Sequence, residues 1–235
     1  MIVSVFVRRL REGCSFADFL REWEADVGFG VPTRVFNAVS LEDSREVISI
    51  GFVGVTPAEL EEGLAAARDS EQVRHDRIDT VIESTTLRAM YHVQAEYDFT
   101  AVPQRIDLAR RRKPALRITV RHRRGTAVGR KVMIARIWHG TVAQSDGDTY
   151  VQYMHHTGIA GYASTEGNRG VWMLRRDVDD QTEFVMFTLW DSMDAVKAFA
   201  GDQPEVAVYY PEDDRYLIER GEFVSHYEVA AHLPA

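Results

Sequence analysis

The sequence contains little cysteine and no long apolar run. Cys14 is the one cysteine among 235 residues, so an internal disulfide and a cysteine-based metal cluster are both excluded. No apolar stretch approaches the roughly 18–20 residues that a membrane-spanning helix requires. The N-terminal stretch is partly apolar but lacks the basic segment and the cleavage site of a signal peptide. We therefore expect a cytoplasmic protein without a membrane partner.

Nucleotide-binding and metal-binding motifs are missing as well. The close glycine pairs, such as Gly28 and Gly30, lack the spacing of a phosphate-binding loop. His155 and His156 are adjacent on a predicted helix, so their side chains point about 100° apart and cannot bind one metal ion together. The sequence therefore predicts no metal site, no nucleotide or flavin site, and no cofactor.

Charge is distributed unevenly along the chain. The net charge is −8, yet between Arg105 and Lys131 eleven Lys or Arg stand against one acid, a local charge of +10 that leaves −18 for the remainder. A strap for nucleic acid or an anionic surface is one interpretation of this stretch. No aromatic side chains lie among the arginines to stack on bases. We favour a solvated basic linker over residues 100–131 and expect no nucleic-acid partner.

The first hundred residues alternate between strand and helix patterns. Val3, Val5 and Val7 recur at the strand period of two. Ser15 precedes apolar residues at helical spacing, and Thr56 precedes a proline and an acid as the cap of a later helix. Two β-rich runs separated by a turn lie between these helices, and a further β-rich run follows the second helix. The predicted order is strand, helix, strand, strand, helix, strand.

The last hundred residues repeat this order. Strands are predicted over 132–142, 168–177, 182–190 and 221–230, with helices in the corresponding places. We therefore predict an α+β protein of two tandem ferredoxin-like βαββαβ domains, residues 1–99 and 132–235, joined by the basic linker.

Each predicted domain covers one face of a four-stranded sheet with helices and leaves the other face bare. Burial of one large apolar side chain contributes roughly 1.5–3 kcal/mol, so two bare sheet faces are expected to close on each other. The space between the sheets is then the expected ligand pocket. Pairing of the halves within one chain and pairing in a homo-oligomer both fit the sequence.

The most recognisable passage covers residues 184–199, where a strand ends in Trp190-Asp191-Ser192 and an amphipathic helix follows. It resembles the strand-to-helix passage of antibiotic-biosynthesis-monooxygenase-like proteins in the dimeric α/β barrel superfamily. The resemblance covers residues 132–230, while the N-terminal half matches in topology alone. It implies a monooxygenase-like oxidoreductase that is independent of cofactors and acts on a small hydrophobic aromatic or polyketide-like substrate.

The chain departs from both chemistries that this family includes. Quinone-forming oxygenases carry Asn where this chain has Met186, and haem-degrading members carry Trp where Phe199 stands. A haem-ligating histidine is also missing near residues 207–209. His75 lies in the corresponding helix of the N-terminal half, and we favour a surface histidine over a ligand there. A non-catalytic barrel that binds a small ligand or haem, or an oligomeric scaffold, therefore remains an alternative to an enzyme.

Alternation along the strands predicts which side chains line a pocket between the sheets. In the first strand of the C-terminal half, Ala135 and Ile137 suit packing against helices, so Arg136 and Trp138 are expected to face the pocket. The same reasoning on the neighbouring strands completes a set of substrate-binding residues: Trp138, Trp172, Met186, Thr188 and Trp190.

Oxygenation without a cofactor requires a base that takes a proton from the substrate and a group that stabilises the resulting anion. His226 is the predicted base, and His139 takes that part if the alternation is shifted by one residue. Arg136 is predicted to hold the enolate. The alternative is structural: the tryptophans are core residues and Arg136 pairs with an acid at the sheet edge.

Overall fold

Both halves of the chain fold in the predicted order of elements. The structure, a computed structural model, describes residues 1–24, 30–99, 104–105, 132–221 and 223–233, so the basic linker lies outside it except for the backbone of two residues. The N-terminal half contains β1 (Ile2–Leu10), α1 (Phe16–Trp23), β2 (Thr33–Ser40), β3 (Glu46–Val53), α2 (Pro57–Ala66), α3 (Arg68–Val81) and β4 (Ile82–Asp98). The short β5 (Gln104–Arg105) pairs with the end of β4.

The C-terminal half repeats the pattern with two additional short elements near its end. It contains β6 (Met133–Ala143), α4 (Gly147–His156), α5 (Gly158–Ser164), β7 (Asn168–Val178), β8 (Gln181–Trp190), α6 (Met193–Ala200), α7 (Asp213–Tyr216), β9 (Leu217–Arg220) and β10 (Ser225–Leu233). None of the helices that the structure describes is long and apolar enough to span a membrane.

The predicted helix caps form as hydrogen-bonded pairs. The Ser15 hydroxyl accepts from the Asp18 backbone N–H, while the Asp18 carboxylate accepts from the Ser15 N–H, which makes a capping box at the start of α1. Thr56 and Glu59 form the same arrangement at α2. Each cap stabilises its helix by about 1 kcal/mol, so local sequence alone specifies where these helices begin.

Eight strands close into one antiparallel barrel. The N-terminal sheet has the order β4-β1-β3-β2 and the C-terminal sheet the order β10-β6-β8-β7. The two sheets join at both edges, where β2 pairs with β10 and β4 pairs with β7. The prediction of tandem ferredoxin-like units in a dimeric-α/β-barrel-type arrangement is confirmed, and both seams between the halves are formed within one chain.

The apolar core consists of a barrel interior and separate layers under the helices. Four rings from both halves meet in the interior with centroids 5.2–6.4 Å apart: Phe36, Phe52, Trp172 and Phe187. In the C-terminal half, Tyr150, Tyr162 and Trp190 belong to the layer between the outer face of the sheet and the helices. Phe19 and Trp23 belong to the equivalent layer of the N-terminal half.

In the C-terminal half, the side chains predicted to face the barrel interior lie under the helices, and those predicted under the helices face the interior, apart from Trp172. Ala135, Phe187 and Leu189 belong to the barrel interior, although they were expected under the helices. The opposite set lies under the helices: Arg136, Trp138, Met186, Thr188, Trp190 and His226. Because these strands are buried on both faces, apolar character does not distinguish one face from the other. Trp172 does face the barrel interior, and it is therefore separated from the rest of the predicted set.

Candidate functional site

Each half has a layer between its helices and the outer face of its sheet, and strand register relates the two layers. Ile2 pairs with Val53 in the N-terminal sheet as Ile134 pairs with Trp190 in the C-terminal sheet. Counting along the strands from these pairs gives the further correspondences: Ser4 with Arg136, Phe6 with Trp138, Ser49 with Met186, and Gly51 with Thr188. The N-terminal half therefore carries the smaller side chain at every one of these positions.

In the C-terminal layer, which we call the C-terminal site, Arg136 and His226 lie opposite each other on paired strands. Both are almost fully buried, at 2% and 1% exposure. Arg136 donates from Nη2 to the Val206 carbonyl oxygen at 3.3 Å, and its guanidinium lies over the Phe199 ring at 5.5 Å. The structure thus brings together the predicted anion-holding residue and the predicted base.

Trp190 and Thr188 fix the backbone of this site. The Trp190 indole N–H donates to the Thr188 hydroxyl at 2.8 Å, and that hydroxyl donates to the Arg136 carbonyl oxygen at 3.1 Å. Trp190 also packs beside the Tyr162 ring. These contacts give the tryptophan of the recognisable passage a structural part.

Burial determines the protonation of the C-terminal site. It lowers the pKa of His226, the nearby Arg136 charge lowers it further, and Glu42, whose Oε1 lies 3.6 Å from Nδ1, opposes the shift. Nε2 of His226 is buried and has no hydrogen-bond partner among the described residues. Burial also lowers the pKa of Arg136, with the Tyr162 phenol acting in the opposite direction. His226 is therefore neutral at neutral pH.

This neutral imidazole makes the stability of the protein depend on pH. The pKa of His226 is lower in the folded protein than in the unfolded chain, so the unfolded chain binds more protons below about pH 6.5. The contribution of His226 is complete above that pH and decreases as the pH falls toward the folded-state pKa. In His226→Gln we expect the melting temperature to fall less between neutral pH and about pH 5 than in the wild type. Equal losses in both proteins would contradict this.

The C-terminal site has almost no room for a ligand. Its cavity measures about 20 Å³, which is the space of about one water molecule. Arg136, Trp138 and Met186 line it together with four tyrosines: Tyr150, Tyr162, Tyr209 and Tyr210. Four of the five predicted substrate-binding residues therefore lie in this layer (Trp138, Met186, Thr188 and Trp190), while Trp172 lies on the other side of the sheet. Side chains of the layer itself fill the space that a substrate would need.

His139 is directed elsewhere. It lies on the opposite face of β6 from Arg136, is exposed, and lines a cavity of about 450 Å³ at one end of the barrel. Polar groups in this cavity are paired with one another: Arg176 binds Glu183 through two hydrogen bonds, and the Tyr227 hydroxyl donates to Glu46 at 2.7 Å. His139 thus does not join His226 and Arg136 in one site.

The N-terminal layer contains an open cavity of about 180 Å³, which we call the N-terminal pocket. Its wall is mainly apolar and includes Ile2, Phe6, Trp23, Val35, Leu60 and Met90. Its polar groups come from β1, β2, β3, α3 and β4: Ser4, Arg8, Thr33, Ser49, Glu71, Arg74, His75 and Arg88. Sequence reasoning placed the pocket in the other half. The available signal was the run of small residues at alternate positions, Ser4 on β1 with Ser49 and Gly51 on β3.

Arg8 is the buried charge of the N-terminal pocket. It is 6% exposed and donates from Nη1 to the Ser49 hydroxyl at 3.2 Å; that hydroxyl in turn donates to Asn37 Oδ1 at 2.6 Å. Within the described parts of the chain, Arg8 forms no ion pair with a carboxylate. Burial, followed by the charges of Arg74 and Arg88, lowers the pKa of Arg8 to about 10, so the group stays charged at neutral pH. The pocket therefore contains a fixed guanidinium that makes no salt bridge among the described residues, although the more distant charge of Asp79 opposes the lowering of its pKa.

His75 supplies a proton acceptor in the same pocket. Its Nδ1 lies 2.7 Å from the Glu71 carbonyl oxygen. Because a carbonyl oxygen accepts only, we assign the proton of the neutral ring to Nδ1, which leaves the lone pair on Nε2. His75 is half-buried and lines the cavity, so its side chain is partly covered and not a fully exposed surface group. Arg74 beside it binds Glu71 and lies over the Trp23 ring at 5.3 Å.

The described residues contain no cluster of three or more His, Cys, Asp or Glu side chains that could hold a metal ion. The described lining of the N-terminal pocket supplies one imidazole, three hydroxyls and more guanidinium than carboxylate charge beside an apolar wall. Such a set can accept a proton and stabilise an anion.

Comparison with known proteins gives the fold. No family model matches the chain, and no curated protein matches it. Fold and site define a protein of the dimeric-α/β-barrel type whose two halves lie in one chain. The solved structures that match it include a protein provisionally named a monooxygenase from Fusobacterium nucleatum subsp. nucleatum ATCC 25586, with a TM-score of 0.64 and 11% identity over 99% of this chain and 94% of that one.

Two further structures match over the whole length. One is a protein provisionally named a monooxygenase from Lactobacillus acidophilus NCFM, with a TM-score of 0.64 and 9% identity over 99% of this chain and 95% of that chain. The other is an anthrone oxidase-like protein, with a TM-score of 0.62 and 12% identity over 99% and 92% of the two chains. At these identities the likeness establishes a shared fold, which confirms the resemblance found in residues 184–199 at the level of the fold.

Proposed function

We propose that the protein is a cofactor-independent monooxygenase that oxidises a small hydrophobic aromatic or polyketide-like molecule in the N-terminal pocket. One observation carries the proposal: a buried guanidinium with no salt bridge among the described residues and an imidazole whose Nδ1 is held by a carbonyl oxygen line the same apolar cavity. An apolar cavity of about 150 Å³ holds a benzene ring, so the 180 Å³ of this open pocket holds one ring of the substrate, and further fused rings extend toward its mouth. The names of the similar structures agree with this class of reaction.

The reaction begins with removal of a proton. Nε2 of His75 takes a proton from an activated CH₂ group of the substrate, and the C–H electrons become an enolate. Arg8 stabilises the enolate oxygen, since a charge-assisted hydrogen bond in a water-poor site is much stronger than the same contact in water. Ser49 and Asn37 hold the guanidinium in place, so little reorganisation is needed when the negative charge develops.

Molecular oxygen is the oxidant. The enolate transfers one electron to O₂, and the carbon radical and superoxide combine to form a C–O bond. The proton held on His75 passes to the outer peroxide oxygen. The second C–H bond and the O–O bond then break, so a C=O group forms and water leaves. The net change is CH₂ plus O₂ to C=O plus H₂O. The carbon loses four electrons, and each oxygen atom of O₂ gains two of them.

Oxygen uptake tests this proposal. Purified protein is mixed with anthrone or 2-tetralone, two enolisable aromatic ketones, and oxygen consumption is followed against a protein-free control that measures autoxidation. We expect catalysed uptake with formation of the oxidised ketone. Binding of both compounds without uptake would identify a non-catalytic ligand-binding barrel and would reject the enzyme.

Filling the N-terminal pocket provides a variant that separates it from the C-terminal site. Ser4→Leu introduces three additional carbon atoms into the cavity and occupies space that the substrate needs. Because a misfit of about one methylene in a substrate pocket costs roughly 1–3 kcal/mol, we expect kcat/KM to fall about tenfold or more. Ser4→Ala is the matched control and should keep the wild-type value, since the Ser4 hydroxyl makes only a 3.5 Å contact with the Gly51 carbonyl oxygen. Unchanged turnover in folded Ser4→Leu would exclude the N-terminal pocket as the reaction site.

A further inference from the structure

Two guanidinium groups lie over the ring of Phe6 in the N-terminal pocket. The Cζ atom of Arg8 is 4.3 Å from the ring centroid, and that of Arg88 is 5.6 Å from it. Arg8 is buried and Arg88 is exposed, so the two charges mark the inner end and the mouth of the pocket. Among the described residues, no carboxylate forms an ion pair with either one.

The N-terminal pocket has more positive charge than its own acids balance. Among the described residues, its lining contains Arg8, Arg74 and Arg88 but one acid, Glu71, which already binds Arg74. This local net charge of +2 occurs in a chain whose net charge is −8. Like charges gathered beside an apolar wall repel one another, so a ligand anion that enters relieves repulsion as well as forming its own contacts.

We infer that the substrate is an aromatic carboxylate, a molecule that carries a permanent anionic group in addition to its oxidisable ring. This inference rests on the proposed function and specifies its substrate class. Arg8 at the inner end serves the enolate that forms during the reaction. Arg88 at the mouth binds the carboxylate, because its exposed fork can pair with both carboxylate oxygens while the substrate ring lies along the apolar wall. Arg88 is thus a specificity-determining residue.

The test compares two probes of the same shape and different charge. 2-Naphthoate and 2-naphthalenemethanol share their rings, and neither has an enolisable CH₂ group, so neither can be turned over. Titration calorimetry of the wild-type protein is expected to give a Kd for 2-naphthoate about tenfold lower than that for the alcohol, as a charge-assisted pair at a half-open site provides. Arg88→Gln should reduce this preference to within about threefold. Arg88→Lys should retain part of it.

Arg215→Gln is the matched control, since Arg215 is an exposed arginine on α7 and does not line the N-terminal pocket. Equal affinity of the wild-type protein for the acid and the alcohol would overturn the inference. A preference that survives Arg88→Gln and disappears in Arg8→Met would also overturn it, because the carboxylate would then be bound at the inner end. The calorimetric Kd values do not depend on oxygen consumption, so the role of Arg88 in binding can be judged even if the protein does not oxidise any substrate.

Discussion

Alanine in place of His75 is expected to reduce kcat for oxygen uptake by about 10²–10⁴-fold, the usual contribution of a positioned general base. The reason is geometric: Nδ1 is held by the Glu71 carbonyl oxygen, so Nε2 is the nitrogen available to accept the substrate proton. The measurement is kcat with anthrone or 2-tetralone at saturating concentration.

His156→Ala is the control for this prediction, because His156 is exposed on α4 in the other half. Its kcat should equal that of the wild type. Binding of 2-naphthoate should persist in His75→Ala, since the probe does not need a base. A His75→Ala protein that keeps its kcat would remove the imidazole from the mechanism while leaving the fold and the pocket intact.

Methionine in place of Arg8 is expected to lower kcat/KM by about 10²–10³-fold, the cost of losing one group that stabilises a developing oxyanion. Stability should be unchanged or higher, because a buried charge that makes no salt bridge in the described part of the chain is replaced by an apolar side chain. Both quantities are needed: kcat/KM by oxygen uptake, and the melting temperature by thermal unfolding.

A loss of activity without a loss of thermal stability distinguishes a functional role of Arg8 from a structural role. A residue that serves mainly to hold the fold would lower the melting temperature and the activity together. Arg8→Lys keeps the charge and should recover part of the lost kcat/KM, although a lysine has no fork with which to reach both Ser49 and a substrate oxygen. A fully active Arg8→Met protein would contradict the proposed part for this residue.

Local patterns made the order of elements predictable from the sequence. Capping pairs such as Ser15 with Asp18 and alternating runs such as Val3, Val5 and Val7 act within a few residues, so they can be read without knowledge of the tertiary structure. The tandem repeat and the closure of two sheets followed from the same patterns, because each four-stranded unit has one apolar face that must be covered.

The faces of the C-terminal strands could not be assigned in this way. On β8, Phe184, Met186 and Trp190 alternate with Phe187 and Leu189, and all five are buried. Both faces of the strand are equally apolar, so the period of two is present without a polar face to orient it. Trp172 was assigned to the interior correctly, yet its predicted companions lie on the other side of the sheet.

The N-terminal pocket depends on residues that are distant in sequence. Ser4 and Gly51 become neighbours only when β1 pairs with β3, and His75 joins them only when α3 packs over the sheet. A small side chain is a weak signal by itself, since serine and glycine are common in turns and at surfaces. The small residues Ser4 and Gly51 become informative once strand register shows that the equivalent positions of the C-terminal half hold Arg136 and Thr188.

Closure of both barrel seams within one polypeptide has an evolutionary consequence. In a barrel made from two identical subunits, every substitution occurs twice, so a change that plugs one cavity plugs both. In this chain, a substitution in one half leaves the equivalent position of the other half unchanged. Large residues such as Trp190 and Met186 can fill the layer of the C-terminal half, while the small Ser4 and Ser49 leave a cavity in the N-terminal half. Because the two halves are covalently linked and differ in sequence, one can be filled and the other can keep a cavity, which two identical subunits could not do.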